Sequence, residues 1–368
     1  DRAWAYYSSA ADDLETYHEN RAVFRRIWLR PRILRNVRYV DPSTKILGIP
    51  SALPFYITAT ALGRMGHPDG ELNLTRAAAK TGLIQMIPTL SSVSFDEIID
   101  ARNQEGGPAQ FFQLYVSTDR NVVANMLRRA EETNVKAIFV TVDAPQLGRR
   151  EQDMRMHFVD EGSDVQGGHV EKRDEGAARA ITSFIDPSFD WDDVLWMKRQ
   201  TRLPILLKGV QTWEDAVQAY EMGLAGVVLS NHGGRQLDFA RSGVEVLEEV
   251  MRELRKRGSF PNPAFQVMVD GGFRRGTDIL KAIAMGATAV GIGRPFLYAY
   301  SAYGVDGVIH AINLLRDELE MNMRLIGARS IEELVPGMVD LSALHNHTGA
   351  VFPKQDQSVL DFMDKSRL

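Results

Sequence analysis

The chain has 368 residues, 44% hydrophobic and 25% charged, the balance of a soluble globular protein with room for one large α/β barrel or two ordinary domains. Its 43 basic and 48 acidic residues leave a net charge of −5, which offers no basic surface to nucleic acid or an anionic membrane, and no apolar run approaches the ~20 residues needed to span a bilayer. It has no cysteine, which excludes disulfides, thiolate metal sites and a cysteine nucleophile.

The first residue is Asp1 rather than methionine, and the chain opens inside a helical stretch. This predicts a fragment or processed form, with a targeting segment or an upstream domain ahead of it. From residue 54 onward, short apolar runs alternate with amphipathic stretches. The strand candidates are Pro54–Ala61, Gly82–Ile87, Ala109–Val116, Val135–Val142, Pro204–Gly209, Ala225–Asn231, Phe265–Asp270 and Ala287–Gly293. Each is apolar on both faces and runs into a polar or glycine-rich turn, as parallel strands under helices do. Helix starts follow several of them. Ser94-x-x-Glu97 and Thr212-x-x-Asp215 read as capping boxes, and Asp119 caps the stretch leading to Thr133.

Eight βα units without a break in composition predict one domain over residues 1–368, a closed (β/α)8 TIM barrel with its core at about 54–325. An N-terminal helical segment precedes it. A charged, poorly periodic loop after the fourth strand, residues 151–185, is expected over the active face. The tail beyond Leu344 reads as an extended arm with a short final helix, Gln357–Lys365. Trp4, Trp28, Trp191, Trp196 and Trp213 are expected to be packing residues. His345-x-His347 is expected to be exposed, and no metal site is predicted because a third ligand is missing.

In such a barrel the C-terminal strand ends share one cup, and here each end carries a reactive group. The third strand ends in Gln113-Leu114-Tyr115 and the fourth in Thr141-Val142-Asp143-Ala144-Pro145. The fifth ends in Lys208, and the sixth in Ser230 and His232. The seventh and eighth run into Asp270-Gly271-Gly272-Phe273-Arg274 and Gly291-Ile292-Gly293-Arg294, two basic glycine turns where barrels bind phosphate. His232 and Arg235, three residues apart on one glycine-rich turn, suit a small anion from which a proton is taken. Asp143 either holds the imidazole or caps its own loop. Lys208 either faces an anionic cofactor or forms a Schiff base. No Gly-x-Gly-x-x-Gly opens a first βα unit, so a Rossmann-type nicotinamide site is not expected.

These motifs, with Ala5–Ala10, Thr58-Ala59-Thr60-Ala61, Leu207-Lys208-Gly209 and Ser230–Gln236, resemble the FMN-dependent L-2-hydroxy-acid oxidases and dehydrogenases over nearly the whole chain. Phe184-Ile185-Asp186-Pro187 and Arg316–Met321 are most similar to the flavocytochrome b2 branch, the cytochrome-linked L-lactate dehydrogenases. The resemblance implies oxidation of a small L-2-hydroxy acid, L-lactate foremost, to the 2-oxo acid, with electrons passed to a haem or cytochrome acceptor. Its alternative is a glycolate or lactate oxidase that uses oxygen and makes hydrogen peroxide. The Cα hydrogen leaves either as a hydride or by way of a carbanion.

By the same resemblance, Arg235 and Tyr6 hold the substrate carboxylate and Tyr115 its hydroxyl or developing carbonyl. His232 is the base, Asp143 orients it, and Arg150 adds positive charge. Leu90 lines a side-chain pocket suited to a small substrate. FMN is expected against Thr60 and Ala61, with Gln113, Thr141 and Lys208 along its polar edge, Asp270 at the ribityl chain, Gly272, Arg274, Gly293 and Arg294 at the phosphate, and Ala59, Ser230 and Gly271 as further cofactor contacts. Pro88 stands where many relatives have a serine, which removes a hydroxyl and an N–H from the cofactor's surroundings. Haem b would belong to an upstream domain, and the tail would pack on neighbours in a homotetramer. The compartment would be the mitochondrial intermembrane space for a flavocytochrome b2-like protein, and otherwise the cytoplasm or peroxisome.

Overall fold

The computed structural model describes residues 2–155 and 184–347. The loop expected at 151–185 falls mostly outside those residues, as does the expected helix Gln357–Lys365. Eight parallel strands form the centre: β1 (Phe55–Ile57), β2 (Met86–Ile87), β3 (Phe111–Leu114), β4 (Ile138–Thr141), β5 (Ile205–Val210), β6 (Gly226–Leu229), β7 (Gln266–Asp270) and β8 (Ala289–Ile292). Each strand pairs with its chain neighbours, and β8 pairs with β1. The ring closes between β1 and β2 through one bridge, Ile57 to Gln85. All eight strands lie within the predicted runs or one residue beyond them, and all but β5 are shorter, because the ends of those runs turn outward as site loops.

The outer ring comprises α1 (Leu72–Thr81), α2 (Phe95–Glu105), α3 (Arg120–Glu132), α4 (Trp191–Gln200), α5 (Trp213–Glu221), α6 (Gly243–Lys256), α7 (Gly276–Met285) and α8 (Arg294–Ile326), the last kinked at Gly304. Ser94 and Glu97 form the expected capping box, Thr212 accepts from the Asp215 N–H, and Asp119 accepts from the Asn121 N–H. Two further boxes, Asp190 with Asp193 and Ser242 with Glu245, start α4 and α6. Such a cap stabilises a helix by about 1 kcal/mol.

Strand pleating decides where the chemistry goes. Phe55, Ile57, Phe112, Ile138 and Val140 face the helices and join the main core. Tyr56, Met86, Phe111, Phe139, Leu206, Val228, Met268 and Ala289 point into the barrel and fill it as a separate apolar layer. Two residues further along each of those strands the side chain again points inward, now at the open end. Those positions are Thr58, Pro88, Gln113, Thr141, Lys208, Ser230, Asp270 and Gly291.

The N-terminal helices Arg2–Ser8 and Glu15–Ala22 are fastened to the loop after β6. Ala11 N–H donates to Gly234 O at 2.8 Å, Thr16 N–H to Asp238 Oδ1 at 2.8 Å, and the amides of Asn20 and Asn231 exchange two hydrogen bonds of 2.9 and 2.8 Å. A short antiparallel ladder, Trp28–Leu29 with Val339–Asp340, joins the two ends of the described chain. Trp4 and Trp28 depart from the packing role expected of them: they are 61% and 68% exposed, because they lie on peripheral segments outside both core layers. His345 and His347 are exposed, as expected, and sit beside Glu248 and Glu245 of α6. No helix among the described residues is long and apolar enough to cross a membrane.

Candidate active site

The open end of the barrel holds a cavity of about 1260 Å3, its mouth included. Around it lie Tyr6, Ala59, Thr60, Ala61, Leu90, Gln113, Tyr115, Thr141, Arg150, Lys208, His232, Arg235, Asp270, Gly271, Gly272, Arg274, Gly293 and Arg294, all singled out in the sequence. Asp143 and Ser230 do not line it. Both stand one step behind the wall, where their side chains bond to residues that do.

The loop after β6 turns sharply enough to place His232 in the left-handed region, with φ at 57°. That conformation costs a non-glycine residue on the order of 1 kcal/mol and persists only where neighbours enforce it. Here the His232 N–H donates to Ser230 Oγ at 3.1 Å, and Nδ1 meets Asp143 Oδ1 at 2.9 Å. With Nδ1–H directed at the carboxylate, the Nε2 lone pair faces the cavity. Nε2 lies 3.3 Å from the Tyr115 hydroxyl, and the two rings are stacked 13° from parallel. Gln236 fixes the fourth loop beneath them by donating to Asp143 O and Gln146 O, both at 2.9 Å, while its Oε1 accepts from Gly148 N–H. Gly209 is required here, since a Cβ would lie 2.5 Å from Asp143 Cβ.

Arg235 reaches across to the N-terminal helix. Its Nη1 donates to Tyr6 O and Ser9 O, both at 2.8 Å, and the guanidinium lies 4.9 Å above the Tyr6 ring. Burial pushes Arg235 down to about 9, and Arg150 and Arg294 push the same way against Tyr6 and Asp153. A third positive group, Arg150, is buried with its Nε unpartnered. Desolvated guanidiniums of this kind attract a carboxylate.

Lys208 donates to Asp270 Oδ2 at 3.0 Å and Ser230 Oγ at 3.2 Å, and Ser230 in turn donates to Asp270 Oδ1. Burial alone would lower the lysine, but Asp270 and Asp143 outweigh it and hold Lys208 above its ordinary value. The Ser230 hydroxyl, expected beside the cofactor, is consumed by this network. Gln113 spans two strands, accepting from Thr89 N–H at 3.1 Å and donating to Thr141 Oγ1 at 2.9 Å.

At the far end, Arg274 lies over the Tyr298 ring and Arg294 over the Tyr17 ring. Arg294, expected at a phosphate, already donates three hydrogen bonds of 2.9 Å, to Tyr7 O, Ser9 O and Gly233 O, so only part of its fork is left for a ligand. Tyr7, Tyr17, Asn20, Arg21 and Thr58 also line the cavity and were not anticipated. Thr58 was recoverable from the pleat, two residues before Thr60; the others lie on helices that reach the barrel only in the folded state.

The sequence matches the model of the FMN-dependent dehydrogenase family over residues 1–341. It is 53% identical over 345 residues to an L-lactate dehydrogenase (cytochrome) of Wickerhamomyces anomalus, covering 94% of this chain and 59% of that protein. The L-lactate dehydrogenase (cytochrome) of Saccharomyces cerevisiae is 49% identical over 360 residues, covering 95% and 60%. The chain thus spans about three fifths of the length of these curated relatives. Among solved structures, the recombinant flavin-binding domain of baker's yeast flavocytochrome b2 superposes with a TM-score of 0.86 at 47% identity, covering 100% of this chain and 88% of that one.

Proposed function

The chain belongs to the FMN-dependent dehydrogenase family, and we propose that it oxidises a small L-2-hydroxy acid, L-lactate foremost, to the 2-oxo acid and delivers the electrons to a cytochrome. The observation that carries this reading is the convergence of His232 Nε2, the Tyr115 hydroxyl and the Arg235 guanidinium on one cavity above Lys208. The residues fit FMN. Thr60 Oγ1 is buried without a partner among the described residues, Gln113 and Lys208 offer donors, and Gly271, Gly272 and Gly293 expose backbone beside Arg274. Bound there, FMN would supply the acceptor for the two electrons and the hydrogen that leave the substrate carbon.

The protein's part follows from the site. Arg235, with Tyr6 stacked against it and Arg150 nearby, binds the carboxylate and fixes which face of the acid is presented. His232 Nε2 takes the substrate proton, and Asp143 lowers the energy of the resulting imidazolium. Tyr115 donates to the substrate oxygen. Burial raises its phenol above the ordinary range, so it stays protonated at neutral pH. Lys208 offers positive charge to the reduced cofactor. Leu90, buried beside Tyr115 and Ala144, gives the substrate side chain an apolar wall, which favours the methyl group of lactate.

The cytochrome reading is supported by the names of the two relatives, whose further length leaves room for a haem b domain. Self-association, proposed here as a homo-oligomer, is supported by Tyr303, Leu314, Met321 and Leu325, large apolar side chains exposed along α8. Anaerobic mixing of the FMN-loaded protein with L-lactate, glycolate and L-mandelate, followed by air, tests the activity. Bleaching of the flavin by L-lactate with slow recovery in air is expected. Fast recovery with peroxide would make it an oxidase, and no bleaching by any of the acids would refute the reading.

A further inference from the structure

Glu71 is fully buried, does not line the cavity and has no part in the proposed reaction. It stands immediately before α1, yet its side chain turns back to join the loops that follow β1 and β2. Oε1 accepts from the Gly63 N–H at 2.8 Å and from the Ser92 N–H at 3.1 Å, and Oε2 accepts from the Ser92 hydroxyl at 2.7 Å. Ser92 Oγ itself accepts from the Arg64 N–H at 2.8 Å, which ties the second loop to the first again. The approach is close enough to require glycine on one side, since a Cβ at Gly63 would lie 2.9 Å from Glu71 Cδ.

Each residue gripped in this way lies two places beyond one that lines the cavity, Gly63 beyond Ala61 and Ser92 beyond Leu90. Leu90 and Tyr115 share one small apolar cluster, and Ala61 packs against it. Between Ala61 and Gly63, Leu62 is left-handed with φ at 58°, a conformation that a non-glycine residue keeps only where its surroundings impose it. The Tyr7 hydroxyl donates to Leu62 O at 2.8 Å, Glu71 holds the next N–H, and Leu62 N–H reaches Leu90 O at 3.3 Å. A buried carboxylate that satisfies three donors from two loops fixes their separation, because releasing either loop leaves one of its oxygens short of a partner in a dry place. We propose that Glu71 is a positioning residue that determines specificity: by clamping the loops after β1 and β2 together it sets the spacing of Ala61 and Leu90, and with it the length of side chain the substrate acid can carry. The inference rests on reading Leu90 as the wall for the substrate side chain.

Pyruvate and 2-oxohexanoate share the same oxo-acid head and differ only in chain length, so the ratio of their affinities reads the side-chain pocket and cancels effects on carboxylate binding. Each is titrated into the FMN-loaded protein while the flavin absorbance is followed, which reads binding without turnover. The unmodified protein should prefer pyruvate. Glu71→Leu keeps most of the bulk and removes both acceptors; it should lower the pyruvate-to-2-oxohexanoate affinity ratio about tenfold, the low end of what one methylene of pocket space decides. Ser92→Ala leaves the Glu71 carboxylate in place and removes only the bonds of the hydroxyl, so it serves should Glu71→Leu fail to load flavin. A shift in the same direction of about threefold is expected there, in line with the net contribution of one hydrogen bond. Both affinities falling together, with the ratio unchanged, would show that Glu71 only supports the fold and would overturn the clamp while leaving the proposed activity intact. Unmodified protein that binds the two acids equally would do the same. Unmodified protein that binds neither would remove the carboxylate site, and the proposed function and this inference would fall together.

Discussion

Replacing Asp143 by asparagine keeps shape and removes charge, which isolates what the carboxylate does for His232. The hydrogen bond from Nδ1 to Oδ1 is 2.9 Å long, and the Asp143 side chain is 1% exposed. An asparagine oxygen would still accept from Nδ1–H, so the loss is the difference between a charged and a neutral acceptor once the imidazole has taken a proton. Two unit charges at that separation attract by about 6 kcal/mol at an effective dielectric of ~20, an upper bound that desolvation reduces. A hydrogen bond to a charged group contributes about 1.5–3 kcal/mol against about 1 for a neutral one. A rise of about 2–4 kcal/mol in the barrier is therefore expected, slowing flavin reduction roughly thirtyfold to a thousandfold.

The loop should survive the change, because Gln236 grips the main-chain oxygen of residue 143 rather than its side chain. Asp143 does not line the cavity. Affinity for a product such as pyruvate should therefore stay close to that of the unmodified protein while the rate falls. Anaerobic stopped-flow reduction by L-lactate, with pyruvate titrated separately, measures both. An undiminished reduction rate would refute the role assigned to the carboxylate. Equal losses of rate and pyruvate affinity would show that it supports the loop rather than the imidazolium.

Arg235→Lys should weaken carboxylate binding at least tenfold, since an ammonium on a flexible stem cannot hold Tyr6 O and Ser9 O and still offer a planar fork; pyruvate titration would count against this if affinity were unchanged. Lys208→Met leaves Asp270 buried without its cation, so FMN affinity and the flavin reduction rate should both fall, and full retention of both would place the compensating charge elsewhere. Burial, opposed by the Tyr300 hydroxyl, holds Tyr7 up at about 12 against an ordinary 10.0, so the folded state favours the neutral phenol. That contribution is complete below pH 10 and is lost as pH rises through about 12; melting temperatures should fall more steeply above pH 10 than in Tyr7→Phe, and parallel curves would refute it.

What could be read ahead of the structure was what the pleat writes locally. Phe111, Phe139, Leu206, Val228 and Met268 fill the barrel, and the residues two places on, Gln113, Thr141, Lys208, Ser230 and Asp270, are the polar groups at its open end. An apolar run that turns polar on alternate positions at its C-terminal end thus marks both the strand and its contribution to the site. The same rule gives direction but no hydrogen-bond partners. Asp143 was expected to orient His232, and its Oδ1 does bond to Nδ1, whereas the Ser230 hydroxyl, expected beside the cofactor, is spent on His232, Lys208 and Asp270.

The remainder was hidden because it depends on contacts between distant parts of the chain. Asn20 and Asn231 are 211 residues apart, and neither stands out in a periodic pattern. Their paired amides hold the helix Glu15–Ala22 against the His232 loop and bring Tyr17 and Arg21 to the cavity. Gly272 belongs to the same arrangement. A Cβ there would lie 1.8 Å from Asn20 O, so the glycine turn read as a phosphate cradle is also where the N-terminal helix must approach. The N-terminal segment is thus part of the site's wall. Tyr6 and Ser9 anchor Arg235, and Tyr7 and Ser9 anchor Arg294, so the groups meant for anions at both ends of the cavity are oriented by backbone carbonyls of one short segment. The barrel supplies the histidine, the lysine and the acids, but Arg235 and two of the three bonds of Arg294 are directed by an N-terminal segment that lies outside it.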